Sequence, residues 1–96
     1  MLPHVVRWNA DHVERRYLTL LRGARLQPDG SAGGTLAARL EELRRAGGLP
    51  ATLAEIVVPR NGLAALAADA ATQWTGTFNP RPFDAAAALA LYQRAF

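Results

Sequence analysis

The chain has 96 residues, half of them hydrophobic, no cysteine and a formal net charge of +3, with arginine supplying the positive charge and lysine absent. That length accommodates one domain and one modest core, and without cysteine neither a disulfide framework nor a thiolate metal site can staple it. No stretch reaches the roughly 18 to 20 apolar residues of a membrane span, and Met1-Leu2-Pro3-His4 does not open a secretory signal, so the expected compartment is the cytoplasm.

Leu2 to Trp8 is a short apolar stretch that reads as one or two helical turns stopping near Asn9. Asp11 then makes a good N-cap, and Glu14 three residues on completes a capping-box pattern, since a side-chain oxygen and a carboxylate satisfy the orphan N–H groups of a helix start. A helix from Asp11 to Arg22 is predicted, closed by Gly23. Val13, Tyr17, Leu20, Leu21 and Ala24 repeat at helical spacing as its inner face, with Glu14, Arg15, Arg16 and Arg22 elsewhere.

Gln27 to Gly34 holds a proline, glycines, Asp29 and Ser31, which is loop chemistry. Thr35 to Ala46 is the next predicted helix, with Leu36, Leu40 and Leu43 inward and Arg39, Glu41, Glu42, Arg44 and Arg45 outward. Gly47 and Gly48 can adopt the left-handed cap conformation, and Pro50 prevents continuation. Ala51 to Ile56 reads as one turn and Val57-Val58-Pro59 as a brief extension, because a lone strand would have nothing to pair with.

A third helix is predicted from Asn61 to about Trp74, aligning Leu63, Leu66, Ala67, Ala70 and Trp74. Thr75 to Pro82 is irregular. Asp84 caps a final helix to Phe96, whose alanines favour helix strongly and whose larger inward stripe is Ala85, Leu89, Tyr92 and Phe96. The expected fold is all-α: four main helices plus short turns in a bundle-like array, residues 1–96 forming a single helical domain.

Few residues here can carry chemistry. His4 and His12 are eight apart across a predicted break, and no His-x-x-x-His, Glu-x-x-His or cysteine pair occurs, so no metal site is expected from this chain. Ser31, the single serine, has no base near it in a nucleophile pattern and reads as a loop or N-cap residue. Gly30 to Gly34 lacks the preceding strand and the Gly-Lys-Ser/Thr ending of a phosphate loop. Glu41 and Glu42 are helix neighbours pointing apart, which removes paired-carboxylate catalysis. No catalytic residue is assigned. The densest remaining segment, Trp74 to Phe83, collects turn formers and aromatics around Asn79-Pro80-Arg81-Pro82, where two prolines fix the backbone that carries the Arg81 guanidinium.

Three segments, in order, resemble the iron-containing alcohol dehydrogenases, most closely their maleylacetate reductase branch. Leu2-Pro3-His4-Val5-Val6-Arg7-Trp8-Asn9 resembles the family's Leu-Pro-His-Val-x-(Arg/Glu)-(Phe/Tyr)-Asn segment. Gly48-Leu49-Pro50-Ala51-Thr52-Leu53-Ala54-Glu55-Ile56 resembles its Gly-Leu-Pro-x-x-Leu-x-Glu-hydrophobic segment. Asn79-Pro80-Arg81-Pro82 before a capped helix resembles its Asn-Pro-Arg-Pro ending.

The resemblance implies the C-terminal half of a dehydroquinate-synthase-like helical domain. In that family NAD(P) is held by an N-terminal α/β domain, and iron or zinc by an aspartate and three histidines that precede the Leu-Pro-His-Val segment. Neither cofactor would therefore be bound here, and His4 is not carried over as a ligand. Hydride transfer needs a bound cofactor in an organised site, so the chain alone is expected to be inactive. By resemblance, Thr77 and Phe78 would lie nearest the substrate cavity, with Asn79, Pro80, Arg81 and Pro82 as the structural motif. Thr75-Gly76-Thr77-Phe78 departs from the Asn-Pro-aromatic-aromatic run of maleylacetate reductases, which weakens any assignment of that substrate.

Two main functional expectations follow. One is a helical segment of an NAD(P)-dependent oxidoreductase that works only with a partner polypeptide carrying the cofactor and metal domains. The other is a non-catalytic interaction or oligomerisation module, or a remnant, that covers its apolar surface by forming a homo-oligomer. A DNA-binding pair of helices is disfavoured, because the arginines are scattered and the segment joining Leu36–Ala46 to Asn61–Trp74 is longer than the 3 to 4 residues of a helix-turn-helix. The arginine-only basic set, with abundant Ala, Gly and Leu, points to a GC-rich bacterial genome.

Overall fold

The computed structural model describes residues 1–96 and contains helices and turns without a strand. Its α-helices are α1 (Leu2–Gly23), α2 (Ala32–Ala46), α3 (Leu63–Ala71) and α4 (Ala85–Arg94), with 3₁₀ turns at Ala54–Ile56, Arg60–Gly62 and Trp74–Phe78. The all-α expectation of four main helices therefore holds. The chain divides into two compact units, Leu2–Leu49 and Pro50–Phe96 together with Met1, each built on one helix pair.

In the first unit α1 packs on α2. The expected break near Asn9 is absent: α1 runs through it and departs from helical geometry one turn later, at Val13 (φ −138°, ψ 21°). Asp11 is thus an exposed residue inside the helix, not its cap. Glu14 does cap a helix, but the other one. Its Oε1 accepts a hydrogen bond from the Ala32 N–H, and its Oε2 one from the Gly33 N–H at 3.0 Å. Those donors are orphans at the positive end of α2, where a carboxylate gains more than it would by folding back on its own helix. Ser31 supplies the third contact, its Oγ accepting from Gly34 N at 2.9 Å. With three orphan donors met in this way, α2 starts three residues before the predicted Thr35.

Small residues hold the two helices close. A Cβ on Gly33 would lie 2.5 Å from the Cβ of Ala10, a distance no side chain tolerates, so α1 and α2 meet here because Gly33 has none. Ala32 and Ala37 are buried on the same helix. This contact rolls the α2 leucines off the inner line: Leu36 and Leu40 are half-buried, and Leu43, expected inward, is 52% exposed. On α1 the buried line is Val6, Asn9, Val13 and the fully enclosed Leu21. Leu20, one residue and about 100° round the helix from Leu21, is 59% exposed against expectation. Ala24, also expected inward, lies past the end of α1 and is exposed.

Both helices of this unit end in the same way. Beyond α2, Gly48 (φ +65°) lets Leu49 N–H reach the Arg44 carbonyl and Gly48 N–H reach that of Arg45, the paired bonds of a Schellman ending. Beyond α1, Leu26 N–H bonds the Leu21 carbonyl and Arg25 N–H that of Arg22, but the left-handed residue is Arg25 (φ 57°). The predicted closing residue Gly23 is an ordinary member of the helix.

In the second unit α3 packs on α4. The expected helix from Asn61 begins as a 3₁₀ turn at Arg60–Gly62 and ends at Ala71, where the Thr72 hydroxyl bonds the Asp69 carbonyl at 2.7 Å and competes with further helix. Trp74 consequently leaves the helix and is 71% exposed, and Leu66 is also exposed. Asp84 caps α4 as predicted, accepting from Ala87 N at 2.8 Å. The buried stripe of α4 is Ala88, Leu91 and Ala95, not Ala85, Leu89, Tyr92 and Phe96. Ala85 is exposed and the other three are half-buried. Leu63 and Ala67 are the buried residues of α3, so alanines on both helices take the inner positions and the larger rings lie at the rim. Phe96 serves there as a platform for the Arg60 guanidinium, 4.4 Å from the ring centroid.

The segment before α3 is pinned by Leu53 N–H to the Ala95 carbonyl at 2.8 Å, and Glu55 accepts from Ala51 N at 2.7 Å to fold the predicted turn. That turn closes on Val57 in left-handed backbone (φ 63°), a costly conformation for a β-branched residue.

Two stability outcomes follow from these ends. Glu14→Ala should lower the unfolding free energy by about 1–2 kcal/mol, read from urea unfolding, because two helix donors lose their partner; an unchanged midpoint would mean water replaces the carboxylate at no cost. Val57→Gly should raise stability by about 1 kcal/mol in the same measurement by relieving the left-handed strain; a loss would show that the side chain contributes more than its backbone costs.

Candidate functional site

The segment singled out in the sequence forms one ordered corner of the second unit. Its first half is the 3₁₀ turn Trp74–Phe78, in which the Thr77 hydroxyl donates to the Trp74 carbonyl at 2.7 Å and Asn79 N–H donates to the Gly76 carbonyl at 3.1 Å. Gly76 faces the Phe83 ring, and a Cβ there would come to 3.0 Å of the ring edge, which explains the glycine in this turn. In the second half Asn79 Nδ2 donates to the Arg81 carbonyl at 2.6 Å, bridging the two prolines.

The turn presents its aromatics outward. Trp74 and Phe78 are both about three-quarters exposed and meet edge to face, ring centroids 5.6 Å apart at 85°. Such a pair is a favourable arrangement of two quadrupoles and a preorganised apolar surface. Thr77 is exposed beside them, Asn79 and Arg81 are half-buried, and Pro80 and Pro82 are exposed. The structure thus brings Thr77, Phe78 and the Asn79–Pro82 motif into one corner. Trp74 begins the segment singled out in the sequence, but periodicity also aligns it with the inner face of the third helix; Thr72, a β-branched residue able to bond a preceding carbonyl, is the signal that the helix stops before it.

The corner holds no proton-transfer machinery. Thr77 donates to a backbone carbonyl, and the nearest acid in sequence, Asp84, caps α4. Among the remaining carboxylates, Glu14 caps α2, Glu55 accepts from Ala51 N, Glu42 pairs with Arg39 at 2.8 Å and Glu41 with Arg7 at 2.6 Å. His4 and His12 both lie on α1, and no three His, Asp or Glu side chains are grouped so that they could hold a metal ion. The donor set needed for a divalent cation is therefore not assembled within this chain. No helix is long and apolar enough to cross a membrane.

Glu41 shows what its pairing does. The hydrogen bond from Arg7 holds its carboxyl below the ordinary glutamate range, against a smaller opposing effect of burial and with further help from the charges of Arg7, His4 and Arg44. Both partners are partly exposed, which limits the pair to under about 1 kcal/mol.

The sequence model of the Fe-containing alcohol dehydrogenase family, C-terminal, matches residues 1–96. No curated protein matches the chain, and no solved structure does.

Because the folded carboxyl of Glu41 is the stronger acid, its contribution to stability is present above the unfolded glutamate pKa and is lost as the pH falls through the folded one. Arg7→Ala should flatten that part of the stability profile and raise the Glu41 pKa followed by NMR titration; an unmoved pKa would mean another group sets it.

Proposed function

Since the chain belongs to the Fe-containing alcohol dehydrogenase family as a C-terminal helical domain, we propose that it is the helical portion of an NAD(P)-dependent oxidoreductase whose nucleotide and metal sites lie outside these 96 residues. The observation that carries this reading is the conjunction of a family match along the whole chain with carboxylates and histidines that assemble no metal site. In a dehydrogenase such a helical domain contributes framework around chemistry supplied by the cofactor and its organised site.

In this reading the corner at Trp74–Pro82 is the part that borders the substrate cavity. Phe78 and Trp74 would exclude water and present apolar surface, and Asn79 and the flanking prolines would hold the turn in place. Thr75 and Thr77, between them, would present small polar side chains, the Thr77 hydroxyl also donating to the Trp74 carbonyl. Residues 75–78 depart from the maleylacetate reductase pattern and so speak against maleylacetate as substrate, although the three matching segments are similar to that branch. The working compartment is the bacterial cytoplasm, where the reduced nicotinamide pool is available.

A second reading draws on a different observation. Ile56 and Val57 are exposed at 53% and 87%, and Trp74 and Phe78 more than 70%, an unusual load of bare apolar side chains for a unit of this size. Self-association would cover them, giving a homo-oligomeric helical module without catalysis.

Mixing the purified chain with the products of neighbouring genes and following NAD(P)H oxidation at added Fe²⁺ or Zn²⁺ separates the two. The first reading expects a complex and a gain in turnover with one of them, reduced several-fold by Phe78→Ala. Absence of both complex and turnover with every candidate, together with a dimer in sedimentation, would replace it by the second.

A further inference from the structure

Positive charge is distributed unevenly along this chain. Residues Leu2–Leu49 hold eight arginines against five carboxylates, whereas Pro50–Phe96 hold three of each. Within the first unit Arg7 and Arg39 are neutralised by Glu41 and Glu42, and Arg44 donates to the Leu49 carbonyl at 2.8 Å. The guanidinium groups of Arg15, Arg16, Arg22 and Arg25 have neither an ion-pair nor a hydrogen-bond partner, and all four residues are exposed.

Their placement is ordered. Arg15 and Arg22 lie after the Val13 kink on regular helix, seven residues apart, so they share one side of α1 at about 10 Å separation along its axis. Arg16 flanks that line, and Arg25 lies two residues past the helix end. Arg25 is the left-handed residue of the helix ending, a position glycine would occupy without strain. An arginine kept there at a conformational cost, at the end of a row of unneutralised arginines, is an outlier from which function is sought.

We propose that this face of α1 is a docking surface for an acidic helical segment of another polypeptide. Carboxylates at i, i+3 or i+4, and i+7 on a partner helix repeat at the same axial interval as Arg15 and Arg22, and each guanidinium fork takes a carboxylate in two parallel hydrogen bonds. The row is one helix wide and offers four cations, fewer than the 6–10 phosphate contacts of a typical duplex binder, and no exposed aromatic of α1 lies among them for base stacking. An acidic helix therefore matches it better than nucleic acid. This inference is independent of the dehydrogenase reading, since it concerns a surface of the first unit only.

The test is fluorescence anisotropy of a labelled, helix-forming peptide with glutamates at i, i+4, i+7 and i+11, titrated with the whole chain at low and moderate salt. Saturable binding that weakens with salt is expected. Arg15→Ala with Arg22→Ala should reduce affinity roughly tenfold, while Arg45→Ala with Arg94→Ala changes it less than about twofold. Arg15→Glu with Arg22→Glu should lose the glutamate peptide and gain its lysine counterpart, a reversal that misfolding would not produce. No saturable binding, equal losses in the two alanine pairs, failure of the charge reversal, or tighter binding to a DNA duplex of equal charge would each overturn the proposal.

Discussion

The grip of the Glu14 carboxylate on the start of α2 is the contact on which the first unit depends. It closes two N–H groups that no residue of α2 can satisfy, it does so from the neighbouring helix, and it operates where Gly33 and Ala10 bring the two backbones together. Register, distance and helix start are therefore set by one side chain and one missing Cβ. The salt bridge between Arg7 and Glu41 lies further along the same pair and adds little beside it.

That arrangement is one instance of how the chain uses its acids. Five of the eight carboxylates are committed to local structure: Glu14 and Asp84 at helix starts, Glu55 in a turn, and Glu41 and Glu42 against arginines. Carboxylates committed to backbone N–H groups are poor candidates for metal ligands or catalytic bases, because leaving the helix end would expose unpaired donors. The same economy appears in packing. Alanine and glycine take the inner positions of α2, and alanines share those of α3 and α4 with Leu63 and Leu91, which lets short helices approach closely while the α2 leucines and the aromatics of the second unit lie at the rim.

The reading of the sequence reached the fold wherever a local rule decided the outcome. Asp84 at the start of α4 and the glycine ending of α2 were legible, since each is settled within about five residues of chain, whereas Ser31 read as a loop or N-cap residue with the helix expected only from Thr35. The all-α class was legible from the spacing of apolar residues. What escaped was decided at a distance. Glu14 sits three residues after Asp11, as a capping box requires, but its partners are 18 and 19 residues away, and no spacing rule contains them. The inward faces of α2 and α4 differ from expectation for a related reason: periodicity favours large apolar residues, while the buried positions are Ala32, Gly33 and Ala37 on α2 and Ala88, Leu91 and Ala95 at α4. At the corner, the irregular backbone around Asn79–Pro82 was legible from its prolines and glycine, whereas the outward Trp74 required knowing that α3 stops at Ala71.

The functional account rests on where donor atoms are. The chain is a C-terminal domain of the Fe-containing alcohol dehydrogenase family in which both histidines lie on α1 and no three His, Asp or Glu side chains are grouped to hold a metal ion. Calorimetric titration of the purified chain with Zn²⁺ and with Fe²⁺ near neutral pH tests that claim most directly. The account predicts heats of dilution alone; stoichiometric uptake of one ion per chain, abolished by chelation, would contradict it.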